Sequence, residues 1–465
     1  MSEQDPTLDE FADLNEDRSS NQENNNIREE GFLKLPRDWN ISTVSEVAKE
    51  GGLVDGDWIE SADMDDDGKI QLVQLGHIGE GQFKGEPNRF ITEEFAEEEN
   101  CTLLSEDDLL ISRMQEPILR SCLLPSFDKE SIMAVDIARL QHTDDWNRHF
   151  LKYLFNSRPI WKQGIAWASG TTRKRISRKN IEKLRLPTPP FPEQRKIATV
   201  LYTVDQAIEK TEEITYKYQS IVSGLIQDIA TTGINNQHLE EQKVPMLPER
   251  WEIPKHWNLE FLENITTLIT DGAHITPTYV ENGMPFLKVE NIKQEKIEWD
   301  SVSRIPEEEH NDLIKSGNPT KGDVLLSKNG TIGITKVVDW DREFSHFVSL
   351  ALIRPKQDII LSDYLSTLLE SQICMRQAEA RSKTGTVTNL HLEEIEKLSI
   401  PVPPVSEQKE ILEKISAVEN CLSAEMRYLN RLQRLKQGLM QDLLSGKVRT
   451  TDTNITVPDE VAQHG

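Results

Sequence analysis

The sequence predicts an α/β chain of mixed α+β type, with two similar globular domains joined by two long helices that pair as an antiparallel coiled coil. Three observations predict it. The stretch Leu184 to Asp228 recurs from Leu398 at one constant offset, so that Pro187, Glu193-Gln194, Ile197 and Gly224-Leu225 meet Pro401, Glu407-Gln408, Ile411 and Gly438-Leu439. Each copy carries apolar residues at steps of three and four, the mark of a helix with one apolar stripe. Upstream of each copy the chain alternates apolar and polar residues, which indicates strands. A solenoid is excluded, because its units run about 20–50 residues.

Taken in order, residues 1–31 are polar and acidic and are expected to be disordered. The first globular domain spans 32–190 and opens on Leu35-Pro36-Arg37-Asp38-Trp39; the second spans 251–404 and opens on Ile253-Pro254-Lys255-His256-Trp257. Gln71 to Ile78 matches Pro285 to Ile292, and Asp108 to Arg113 matches Asp323 to Lys328, a buried strand leaving into a polar loop. The prolines before each long helix withhold amide donors and keep the chain extended. Glu193 and Glu407 then sit in a first helical turn, where the dipole favours an anion.

The long helices are predicted over 191–232 and 405–447. A linker over 233–250 and a flexible tail over 448–465 complete the chain. The first stripe reads Ile197, Leu201, Val204, Ile208, Ile214, Tyr218, Ile221, Leu225 and Ile229. The second reads Ile411, Ile415, Val418, Leu422, Met426, Leu429, Leu432, Leu435, Leu439 and Leu443. About 36 helical residues make a rod of roughly 54 Å, too long for one small domain to cover. Two matching rods are expected to pack on each other, although two separate amphipathic helices would show the same periodicity.

Composition bounds the function. The chain has 465 residues with no run apolar enough for a membrane span. Its N-terminus lacks a basic-then-apolar signal pattern, so a cytoplasmic location is expected. Cys101, Cys122, Cys374 and Cys421 are far apart and support neither a disulfide framework nor a zinc site. Net charge is −26, which alone argues against nucleic acid. The acid is uneven, however: Arg173 to Arg185 holds seven basic residues and one acid. An acidic surface with basic islands suits a protein solvated in high salt, such as a halophile's.

Several catalytic readings fall short. Asp63 to Ile70 looks like a calcium loop, but its twelfth position is Gln74 rather than a bidentate glutamate. Thr188-Pro189-Pro190-Phe191 resembles the loop with which amino-methyltransferases hold an amine, but threonine cannot supply the acceptor carbonyl. Gly330 to Lys336 lacks phosphate-loop spacing. No cofactor and no metal is expected. Two loop systems remain. One is Lys328-Asn329-Gly330-Thr331. The other is the basic island with Arg173, Lys174, Arg175, Arg178 and Lys179, whose counterpart holds Lys383, Thr386 and Asn389. Arg113 stands where one predicted strand leaves into its loop, and Lys288 and Asn291 lie in the alternating stretch Pro285 to Ile292, read as a strand. Arg, Lys and Asn read base edges and phosphates; a solvated turn before a helix would use the same residues.

With these residues laid out, the chain resembles the specificity subunit of type I restriction-modification systems from Gly31 to Arg449. The two P-x-P-P-x-x-E-Q-[RK] openings, the long helices and Gln437 to Lys447 carry the resemblance. It implies two target-recognition domains, each reading half of a split double-stranded DNA site, and helices that set their spacing. It also implies no catalysis by the chain itself, with methyltransferase and endonuclease subunits as partners. Ile197, Leu201, Ile208, Leu225, Ile411, Ile415, Leu422, Leu429 and Leu439 would form the coiled coil and partner surface. The first domain departs from the second where Met114-Gln115-Glu116-Pro117 replaces Asn329-Gly330-Thr331-Ile332. A glutamate there repels phosphate but could accept from a cytosine amine. The competing readings are a methyltransferase or nuclease with an unrecognised site, and a coiled-coil adaptor. The adaptor leaves two domain-sized α/β units unexplained.

Overall fold

The computed structural model describes residues 35–462 apart from 172, 235–237, 246, 248–249, 294–295 and 382–388, with only the backbone of residue 230. The disorder expected of residues 1–31 therefore lies outside the described residues. The chain forms two compact units: unit 1 is Met1–Lys210 with Leu429–Gly465, and unit 2 is Thr211–Tyr428.

In unit 1, β1 (Asn40–Thr43) pairs antiparallel with β9 (Arg185–Thr188). A four-stranded sheet runs in the order β2 (Ala48–Asp55), β8 (Ile137–His142), β5 (Leu109–Ser112), β6 (Ser121–Leu123). A three-stranded sheet runs β4 (Phe90–Ile91), β3 (Ile70–Val73), β7 (Ser131–Met133), with β3 and β7 parallel. The period of two explains why all of β5 is buried. Leu109 and Ile111 enter the core shared with the helices, while Leu110 enters a second core with Val73 and Met133.

Unit 2 repeats this plan. β12 (Asn258–Phe261) pairs with β20 (Ser399–Val402). The larger sheet runs β13 (Thr266–Asp271), β19 (Leu350–Pro355), β16 (Val324–Ser327), β17 (Thr335–Val337). The smaller runs β15 (Arg304–Ile305), β14 (Met284–Leu287), β18 (Ser345–His346). Val324 and Leu326 face one core and Leu325 the other. Within the span expected to be a linker, β10 (Leu239–Lys243) pairs with β11 (Arg250–Pro254), and Val244 is buried in the unit 2 core.

Helices α1 (Arg148–Phe155) and α2 (Arg158–Trp167) pack in unit 1, α4 (Ser362–Glu370) and α5 (Gln372–Arg381) in unit 2. The long helices are α3 (Phe191–Thr232) and α6 (Val405–Leu444). In unit 1, Ile197 and Leu201 near the start of α3 share a core with Leu439 and Leu443 near the end of α6. In unit 2, Leu225 and Ile229 near the end of α3 share a core with Ile411 and Ile415 near the start of α6. Each unit thus holds an antiparallel helix pair. Full burial of an aliphatic side chain such as Ile197 or Ile411 contributes about 1.5–3 kcal/mol. Ile208 is buried, and Leu422 and Leu429 are half-buried.

The apolar stripes predict the seam imperfectly. Ile221, Met426 and Leu435 are exposed, and Ile214 is only half-buried. The buried positions beside them are Thr211 and Thr215, with Thr215 Oγ1 donating to Thr211 O at 2.8 Å. On α6 the half-buried Lys436 takes the position next to Leu435 and pairs with Asp205 at 2.6 Å. The seam keeps heptad spacing, but polar residues occupy some of its positions, and apolar neighbours one residue away draw the sequence reading off register.

The duplicated Glu-Gln pair has a structural cause. Trp39 Nε1 donates to Glu193 at 3.0 Å, and Trp257 Nε1 to Glu407 at 3.1 Å. Gln194 Oε1 accepts from Asn147 N at 3.0 Å, and Gln408 Oε1 from Leu361 N at 2.8 Å; these residues cap α1 and α4. The same glutamines donate back to Pro189 O and Pro403 O at 3.1 and 2.9 Å. The pair therefore ties the opening of a domain and the start of an internal helix to the start of a long helix.

The tail is not loose where it is described. Arg449 pairs with Glu193 and Asp38, Lys196 Nζ donates to three carbonyls of Thr450, Thr451 and Thr453, and Val461 is fully buried in the unit 1 core. Composition reads this segment as polar and flexible because its anchors are one arginine, one valine and backbone carbonyls.

Candidate nucleic-acid interface

Each unit builds the same edge from the end of its second long strand. In unit 1, β2 ends at Asp55, which pairs with Arg113 at 2.9 Å just beyond β5. In unit 2, β13 ends at Asp271, which pairs with Lys328 at 3.4 Å just beyond β16. A glycine follows each aspartate, and a Cβ on either would overlap backbone: Gly56 the carbonyl of Ala134, Gly272 that of His346. The glycines let the strand close on its neighbour through the bridges Asp57–Ala134 and Ala273–Phe347. A second bridge completes each edge, Met114–Arg175 in unit 1 and Asn329–Asn389 in unit 2.

The predicted site residues divide into two groups. Arg113 and Lys328 are structural. Both are buried; Arg113 also donates from Nε to Ile176 O at 3.3 Å and from Nη1 to Val135 O at 3.2 Å. Burial pulls the Arg113 guanidinium below its ordinary value, and Asp55 acts against that. Each end-of-strand cation is thus turned inward onto its aspartate rather than towards solvent. Asn291 is half-buried and accepts from Lys288 N at 2.8 Å, a local turn bond.

The rest lie towards solvent. Arg173 and Lys179 are exposed, with no ion pair among the described residues. Lys174 is half-buried and only 3.9 Å from Glu116. Arg178 is exposed and 3.6 Å from Glu182. Arg175 is held by Asp136 at 3.2 Å and donates to Val135 O at 3.2 Å, which fixes the root of the basic island. In unit 2, Lys288 Nζ sits 4.7 Å over the Tyr279 ring, and Thr331 is exposed and accepts from Lys293 at 3.3 Å. Asn329 and Asn389 each bury Oδ1 without a hydrogen-bond partner among the described residues. Lys383 and Thr386 lie outside the described residues.

The sequence reading missed the loop after each glycine. Trp58 is 69% exposed, and Ile275 is 82% exposed beside His274, whose Nε2 lies 3.0 Å from Asp271. His346, under the same loop, is buried, and burial pushes it down to about 4, so it stays neutral. The signal was present: Val54-Asp55-Gly56 and Thr270-Asp271-Gly272 are repeated Asp-Gly steps. Among the described residues no His, Cys, Asp and Glu group has metal-binding geometry, and no helix is long and apolar enough to cross a membrane.

The profile of the type I restriction modification DNA specificity domain matches residues 36–217 and again 254–434. The chain belongs to this family. The two matches start at the repeated Pro-x-x-Trp openings and run into the two long helices. Among curated relatives, the type I restriction enzyme MjaVIII specificity subunit of Methanocaldococcus jannaschii is 22% identical over 449 residues, covering 92% of this chain and 97% of that one. The type I restriction enzyme EcoBI specificity subunit of Escherichia coli is 22% identical over 339 residues, 70% of each chain. A chain from a structure addressing complex assembly and conformational transition of a type I restriction-modification system superposes with a TM-score of 0.56 at 17% identity. That match covers 89% of this chain and all of the other, and shows the shared fold. As a family member with the specificity domain twice, the chain is a DNA-recognition protein rather than an enzyme.

Proposed function

We propose that this chain is the specificity subunit of a type I restriction-modification complex. It reads a split double-stranded DNA site with its two domains and scaffolds methyltransferase and endonuclease subunits. The observation that carries this reading is the duplication of the edge: each unit repeats the Asp–cation pair, the glycine packed against a neighbouring carbonyl and the bridged loop. Each also presents different side chains there, Arg173, Lys174 and Arg178 in unit 1 against Asn329, Thr331 and Asn389 in unit 2. Two edges of one plan and different chemistry suit two half-sites of different sequence. Mapping modified bases in cells that express the chain with its methyltransferase tests it. The expected result is one bipartite motif, with exchange of residues 254–404 for a relative's changing one half only. Methylation independent of this chain would overturn it.

We further propose that the net charge of −26 reflects a halophilic source. Unfolding transitions that move steadily to higher temperature up to molar potassium chloride would support this, and maximal stability in dilute buffer would sink it.

A further inference from the structure

Unit 1 contains a groove of about 640 Å³ between the α1–α2 corner and the end of α6, within the size range of ligand sites. Pro159 and Trp161 form one wall; Gln433, Gln437, Met440 and Leu444 belong to the other. The Trp161 indole nitrogen is buried with no hydrogen-bond partner among the described residues, a donor left unsatisfied at an apolar wall. Gln433, Gln437 and Gln441 follow one another at helical spacing of four, so three amides line one face. Such a row can bond an extended backbone, while Met440 and Leu444 take an apolar side chain. Of the lining cations, Lys436 pairs with Asp205 at 2.6 Å and Lys447 with Asp442 at 2.9 Å, so that Arg158 stands beside the single lining acid Glu80.

The described chain begins beside this groove. Leu35 packs on the unit 1 core, and the Pro36 ring lies against Gly446, between the lining residues Ser445 and Lys447. The residues just before it read Glu29-Glu30-Gly31-Phe32-Leu33-Lys34. Gln433 to Leu444 spans about 16 Å of helix, and five extended residues cover about 16 Å. Phe32, three residues from Leu35, falls within about 10 Å of it. Glu29 and Glu30 bring acid within reach of Arg158.

We propose that this groove is the docking site of residues 29–34 of the same chain, with Phe32 as the apolar anchor. An extended stretch there would meet the glutamine row with its backbone and Arg158 with its acids.

The test uses the full chain with p-benzoylphenylalanine in place of Phe32, followed by photolysis and peptide mapping. The expected crosslinks are intramolecular, to Met440, Trp161 or their neighbours. Hydrogen exchange then compares the natural chain with Phe32→Asp and Phe32→Leu. The Asp variant should exchange amides of 433–444 about tenfold faster or more, as loss of one apolar anchor predicts, and the Leu variant should remain near the natural rate. Crosslinks to other regions of the chain, or unchanged exchange in Phe32→Asp, overturn the proposal. Crosslinks between chains would assign the groove to a second copy, and protection seen only with a methyltransferase subunit would assign it to that partner. Either result also overturns it. Should Phe32→Asp fail to fold, the crosslinks and the Leu variant decide.

Discussion

Trp39 and Glu193, at opposite ends of the first domain, meet through an indole N–H donated to the carboxylate at 3.0 Å. Arg449 donates to both oxygens of the same group, from Nε and Nη2, at 2.8 Å each. One carboxylate, 2% exposed, thus gathers the domain opening, the start of α3 and the segment after α6. In unit 2, Glu407 receives Trp257 at 3.1 Å and has His256 at 2.8 Å, an imidazole in place of a permanent cation.

Glu193→Gln should therefore cost unit 1 about 1.5–3 kcal/mol, the range for bonds to a charged group. Burial pushes this carboxyl up, but Arg449 and Trp39 outweigh burial and hold it below the ordinary glutamate value. A depressed carboxylate stabilises the fold above its unfolded value and loses that contribution as pH falls through its folded one. Chemical denaturation of both proteins should show a constant gap near neutrality that closes in acid. A gap that widens in acid would contradict the assignment.

Asp205 predicts a second, larger effect. It accepts from Tyr153 Oη at 2.7 Å, pairs with Lys436 at 2.6 Å and lies 3.7 Å from the buried Lys152. Burial depresses Lys152, and Asp205 is the main group opposing that. Asp205→Asn leaves two ammonium groups facing each other and should destabilise unit 1 by about 3–5 kcal/mol. A lysine depressed in the fold binds fewer protons folded than unfolded, so the variant should regain stability as pH rises towards the ordinary lysine value. Adding Lys436→Met should restore part of the loss, and strict additivity in the double-mutant cycle would refute the coupling.

Much of this was legible in the sequence because the chain was duplicated. Glu193-Gln194 and Glu407-Gln408 stand out by repetition, and their hydrogen bonds explain why those types recur. Strands β5 and β16 were legible because two cores, one on each face, demand an unbroken apolar run. The seam was less legible, since Thr211, Thr215 and Lys436 are polar and buried by their neighbours. The burial of Arg113 and Lys328 was not legible, because an end-of-strand cation looks the same in the sequence whether it faces solvent or a neighbouring aspartate. That partner lies 58 positions away in one case and 57 in the other, and the pairing of β2 and β5 with β8, and of β13 and β16 with β19, brings it close.

The basic island has an internal division. Arg173 and Lys179 are exposed and without an ion pair among the described residues, whereas Arg175 is committed to Asp136 and Val135. Arg173→Ala with Lys179→Ala should weaken binding to all DNA sequences alike and make the log–log salt dependence shallower by about one unit for each phosphate no longer neutralised. Arg175→Ala should instead alter the half-site read by unit 1, by releasing the island's root. Titrations of the assembled complex at several salt concentrations distinguish these outcomes. A salt slope unchanged in the double variant would show the island to be a solvated turn.

Glycine-to-alanine substitution should have opposite signs at two places, and the contrast tests the edge geometry directly. Gly438 lies inside α6 with open space where a Cβ would go. Alanine there keeps the helix and removes the entropy cost of glycine, so Gly438→Ala should stabilise the chain by about 0.5–1 kcal/mol. Gly272 follows Asp271, and a Cβ would overlap the His346 carbonyl and press on its ring. Backbone cannot yield as a flexible side chain does, so the bridge Ala273–Phe347 must open. Gly272→Ala should then destabilise unit 2 by about 1–3 kcal/mol, as overpacking does, and displace the loop carrying His274 and Ile275. Mapped methylation should lose fidelity in the half-site read by unit 2 while the other half stays intact. Equal loss in both halves would mean that the substitution acts by general unfolding, and no loss would mean that this loop does not face DNA.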